Sequence, residues 1–202
     1  MVFAPDGRTA LVTRDGDHTL SLLTIEGSSV APAGRDFAAG LRPYDADLTN
    51  DGRIAVVANL GRGQGDADTV SVIDLQAKPP RVVETVTVGP TPEGLALSPD
   101  GKTVAVVIQD GSNKARESPF YHPNGQLLLL RLDGFRLTKF AQAPVGRWSQ
   151  GVAFSKDGRT ILVQNMLEKD IQVFRVDGVT LRDTGQRIPL GGGGAALRTA
   201  KF

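Results

Sequence analysis

An all-β chain of repeated four-stranded antiparallel units is predicted by three observations. One strand–turn–strand pattern recurs four times, β-branched runs alternate with short turn signals throughout, and helical periodicity is nowhere evident. The recurring pattern reads FAPDGRTALVT from Phe3, LTNDGRIAVVAN from Leu48, LSPDGKTVAVVIQ from Leu97 and FSKDGRTILVQN from Phe154. In each copy a bulky apolar residue ends a strand, Asp-Gly makes the reversal, and a basic residue leads into an alternating strand. The Asp-Gly pairs stand at 6/7, 51/52, 100/101 and 157/158, which gives periods of 45, 49 and 57 residues. Glycine is needed because such a reversal takes a positive φ, and the aspartate suits it because its carboxylate accepts nearby backbone N–H groups.

Each unit continues with a third strand, TLSLLTI at 19–25, TVSVIDL at 69–75, QLLLLRL at 126–132 and DIQVFRV at 170–176. Three of these close on an acidic residue and glycine, Glu26-Gly27, Asp133-Gly134 and Asp177-Gly178, whereas the second uses Pro79-Pro80. A fourth strand follows, and glycines at 40, 89, 146 and 191 lead into the next unit. Four strands in about 45 residues is the size of a β-propeller blade. The chain is therefore expected to be one propeller domain over 1–202, with repeats at 1–40, 41–89, 90–146 and 147–190 and an extra inner strand at 191–202. That last strand would complete the first blade and close a small four-bladed ring. The alternatives are a ring completed by a second chain and an open arc of a larger propeller, whose two bare edges would make it self-associate.

Composition narrows the function classes. With 40% hydrophobic and 22% charged residues the chain is of ordinary globular type, and 23 basic residues offset 22 acidic ones without long blocks of either sign. Neither a nucleic-acid nor a membrane-surface partner is implied. No apolar run reaches the roughly 20 residues of a membrane span. Cysteine is absent and histidine is limited to His18 and His122, which removes thiolate chemistry and argues against a multi-histidine metal centre. No cofactor is expected.

The segments VVANLGRGQGDADTVSVIDL, VTVGPTPEGLALSPDGKTVAVV and VGRWSQGVAFSKDGRTILVQN resemble the YVTN-type and lactonase-like bacterial β-propeller repeats. The resemblance covers nearly the whole chain. It implies a propeller that more often has seven blades than four, and a superfamily in which enzymes, binding proteins and surface proteins share one scaffold. It also implies an extracytoplasmic location, although the first residues, MVFAPDGRTA, carry neither a basic nor an apolar leader region. In the lactonase branch an Arg-His pair commonly precedes the Asp-Gly turn strand. The matching pairs here are Tyr44-Asp45, Glu93-Gly94 and Gln150-Gly151, so those family residues do not carry over.

In this fold the entrances of the inner strands and the connections between second and third strands share one face. The Asp-Gly turns lie on the other. Two of the connections are lengthened. NLGRGQGDADT from Asn59 offers glycine amides and the carboxylates Asp66 and Asp68, the weak candidates for a cation, in a spacing that matches no EF-hand. QDGSNKARESPFYHPNG from Gln109 brings Tyr121 and His122, a pair suited to capping a small molecule, with His122 able to act as acid or base. At the strand entrances Arg42, Tyr44 and Asp45 align with Glu93 and with Trp148 and Gln150. There Arg42 and Arg147 are placed to grip an anion, Trp148 to stack on a ring, and Glu93 or Asp45 to act as a base. No nucleophile elbow or zinc motif accompanies them. The leading reading is a scaffold that binds a small molecule or protein at the channel face. A lactone hydrolase of the 6-phosphogluconolactonase type is the alternative, and a structural fragment of a larger propeller the third.

Overall fold

The computed structural model describes residues 1–199. It contains four antiparallel sheets, each built from consecutive strands. The first comprises β1 (Val2–Phe3), β2 (Thr9–Arg14), β3 (Thr19–Glu26) and β4 (Ser29–Pro32), with the outermost strand resumed as β5 (Phe37–Ala38) on the same partner. The second holds β6 (Pro43–Leu48), β7 (Ile54–Asn59), β8 (Asp68–Asp74) and β9 (Arg81–Gly89). The third holds β10 (Pro92–Leu97), β11 (Thr103–Ile108), β12 (Gly125–Asp133) and β13 (Arg136–Val145). The fourth holds β14 (Ser149–Phe154), β15 (Thr160–Asn165), β16 (Asp170–Asp177) and β17 (Thr180–Pro189). Each is a propeller blade, and the inner strands β1, β6, β10 and β14 lie side by side.

The Asp-Gly turns form for the reason their chemistry gives. Gly7, Gly52, Gly101 and Gly158 all take φ between 65° and 70°. The carboxylates of Asp6, Asp51, Asp100 and Asp157 accept the N–H two residues on, at 2.8, 3.0, 3.0 and 3.0 Å. In three turns a hydroxyl two residues earlier, Thr49, Ser98 or Ser155, donates to the same oxygen. Hydrogen bonding to the ionised form holds Asp51 and Asp157 below the usual carboxylate range, and at Asp100 it outweighs an opposing rise from burial to the same effect.

Strand alternation distributes the core. In β11, Val104, Val106 and Ile108 face the second sheet, while Ala105 and Val107 face the fourth. In β12, Leu128, Leu130 and Leu132 turn one way and Leu127 and Leu129 the other. Three apolar clusters result, between sheets one and two, two and three, and three and four. Stability is thus built from nearest-neighbour blade interfaces.

The expected inner strand at 191–202 does not form over 191–199, and residues 200–202 lie outside the described part. Four consecutive glycines supply no side chains for the pleat and carry a high ordering cost, which opposes strand formation there. Among the described residues, β1 pairs with β2 alone, so no strand joins the first sheet to the fourth.

Candidate functional site

The channel face is assembled from the strand entrances, and each entrance is bent in the same way. Arg42, Thr91 and Trp148 stand immediately before β6, β10 and β14 with φ of 56°, 58° and 50°. A β-bulge follows in each case, at Pro43/Asp45, Pro92/Leu95 and Ser149/Gly151. A left-handed non-glycine residue carries a steric cost that surrounding contacts must hold, and a bulge re-aims the side chain that follows. The side chains so presented are Tyr44, Glu93 and Gln150.

These three form a row across the second, third and fourth blades. Gln150 Nε2 donates to Glu93 Oε1 at 2.7 Å. Tyr44 stands close enough to Glu93 for the two to shift each other's ionisation. Glu93 is only 4% exposed, and its Oε2 has no hydrogen-bond partner among the described residues, nor has Oε1 of Gln150. Burial pushes the Glu93 carboxyl up to about 7, beyond what the Tyr44 and Gln150 contacts restore, and the nearby Asp45 carboxylate adds to the rise. Burial, then Glu93, likewise raises the Tyr44 phenol. Asp45 is raised by burial against the opposing pull of Arg198 and of the Leu95 and Ala46 amides, whose N–H groups it accepts at 2.9 Å each.

The cationic and aromatic expectations fare differently. Arg42 and Arg147 are each engaged by a different carboxylate. Arg42 is bidentate to Asp15, at 2.8 and 3.1 Å, and Arg147 donates to Glu168 at 2.9 Å, so each guanidinium closes its strand entrance onto a neighbouring short connection. Trp148 is half-buried, and its backbone N–H donates to Ser112 Oγ at 3.0 Å, tying the fourth blade to the long connection of the third. Asp68 is buried and accepts the Thr91 N–H at 2.8 Å, which makes it the clamp of that strained entrance. Asp66 is exposed, and among the described residues no group of three His, Asp or Glu is placed to hold a metal.

The two long connections, 60–67 and 109–124, meet beside the Thr91 entrance. They enclose a pocket of about 160 Å³ lined by Thr91, Asp110, Lys114, Phe120 and His122 together with glycine backbone. His122 Nδ1 lies 2.9 Å from both the carbonyl and a carboxylate oxygen of Asp110, and that hydrogen bond raises the imidazole pKa. Phe120, rather than Tyr121, lines this pocket beside His122. Asp110 escaped the sequence reading. Its signal was an Asp-Gly pair at 110/111 standing off the repeat period.

No family model and no curated protein matches the sequence. Solved structures match at the level of fold. A protein provisionally named 6-phosphogluconolactonase from Bacteroides fragilis aligns with a TM-score of 0.78 at 19% identity, over 99% of this chain and 56% of that one. The periplasmic gluconolactonase of Pseudomonas aeruginosa aligns at 0.69 and 18% identity, over 95% and 57%. Hydrazine synthase of Kuenenia stuttgartiensis aligns at 0.72 and 17%, over 96% and 63%. These likenesses establish a β-propeller architecture, and the chain spans between 56% and 63% of the length of these structures.

Proposed function

We propose that the channel face of this chain carries out acid–base hydrolysis of a lactone, with Glu93 as the proton-transfer group. One observation carries the reading: a buried carboxyl poised near pH 7, with one oxygen unpartnered, in a row of neutral side chains at a strand entrance. A general acid–base group works best with its pKa near the working pH. The carboxylate takes a proton from the attacking water, and the protonated form returns it to the alkoxide as the ring opens. Gln150 holds Oε1, which leaves Oε2 for the reaction. Tyr44, 45% exposed and with its hydroxyl turned to Glu93, becomes the donor to the carbonyl oxygen once substrate displaces that contact.

Lactonase-like names among the similar folds agree with this choice over a scaffold that only binds, and the periplasmic name among them supports the extracytoplasmic location that belongs to the same proposal. The YVTN assignment rests on the repeat segments themselves. The test is proton release from a sugar δ-lactone by the parent and by Glu93→Gln, corrected for spontaneous opening. Turnover lost in the variant supports the proposal. A lactone-dependent thermal shift without turnover returns the chain to the binding reading.

A further inference from the structure

The long connections of the second and third blades are fitted to one another. Gly65 lies under the Phe120 ring, where a Cβ would come within 2.5 Å of a ring carbon. Gly111 passes beneath the Phe120 carbonyl, where a Cβ would sit 1.8 Å from the oxygen. Both glycines hold positive φ, at 82° and 75°. The pocket between the connections is therefore shaped by positions that tolerate no side chain.

Its charges are unevenly spent. Asp110 is engaged by His122 Nδ1, so the Nδ1 proton is committed and Nε2 is the free end of the ring. Lys114 also lines the pocket, and its ammonium has neither an ion pair nor a hydrogen bond among the described residues. A Cβ placed on Gly63 would lie 3.6 Å from Lys114 Nζ and 3.7 Å from Thr91 Oγ1, so the ammonium and the hydroxyl face one small space. Thr91 is itself buried and fixed by the Asp68 clamp. An unspent cation and a positioned hydroxyl in a partly open, aromatic-walled pocket select an anionic oxygen group rather than a cation.

We propose that the pocket between residues 60–67 and 109–124 is a binding site for a small oxyanion, a carboxylate or phosphate group, held by Lys114 Nζ and Thr91 Oγ1 against the Phe120 wall. His122 Nε2 stands at the rim as a third polar contact. The site is separate from the Glu93 row and does not rest on the hydrolase reading.

The experiment follows amide resonances of Gly63, Thr91 and Gly111 by NMR at constant ionic strength, titrating inorganic phosphate and, separately, acetate. Saturable shifts confined to these loops are expected with at least one anion, and the stronger of the two identifies the group. Lys114→Met should weaken that binding by about tenfold or more, because a charge-assisted hydrogen bond is lost, and Lys114→Arg should recover part of it. Glu93→Gln should bind as the parent does, which keeps the two proposals distinguishable. Non-saturating shifts with both anions overturn the site, as does Lys114→Met binding at parental strength.

Discussion

Replacing Glu93 by glutamine removes an ionisation while keeping the size and the acceptor that Gln150 uses. In the folded chain the carboxyl is raised from 4.5 to about 7, so the folded state holds its proton more tightly than the unfolded chain does. Between those two values the parent must either keep a proton or ionise inside the site, and its stability falls as pH rises through the window. Above the folded value the loss levels off. A rise of this size corresponds to about 3 kcal/mol. Glu93→Gln has no proton to lose, so its stability relative to the parent should be near zero at about pH 4 and grow by roughly that amount by about pH 8. Urea unfolding, followed through the single tryptophan, Trp148, and through circular dichroism at several pH values, reads the difference directly. A difference that stays constant across the range would mean that Glu93 titrates alike in both states, and would rule out a carboxyl raised by burial.

Other positions give independent checks. Gly101→Ala, at φ 70° with open space around the missing Cβ, should cost about 1 kcal/mol in unfolding free energy through backbone strain alone, and no change would remove the turn argument. Phe174→Ala empties a fully buried site between the third and fourth blades and should cost about 3–5 kcal/mol by chemical denaturation. The apolar clusters pack one face each of the first and fourth sheets, so concentration-dependent self-association is expected in light scattering, and a monomer at every concentration would contradict it.

The architecture was legible because its signals are local. Asp-Gly turns at Gly52 or Gly158 and the two-sided alternation of VAVVI in β11 depend on residues close in sequence. Tyr44, Glu93 and Gln150 were legible as aligned entrance residues, since the repeat period places them in register. What escaped was pairing between repeats. Arg42 looks free in the sequence, and only the fold brings it to Asp15 of the preceding blade. Asp68 looks like half of a cation site until its carboxylate meets the Thr91 amide. The repeat phase predicts a ring-closing strand at 191–202, but phase weighs neither the glycine run nor the pairing such a strand needs.

The proposed chemistry depends most on the ionisation of Glu93. Carbon-detected NMR of the side-chain carboxyl groups across the pH range, with Glu93→Gln assigning the resonance, measures it in the folded chain. An inflection near 7 is expected, coupled to a shift of the Tyr44 ring signals. An inflection at the ordinary glutamate value, near 4.5, would leave Glu93 an ordinary ionised carboxylate and overturn its role in proton transfer.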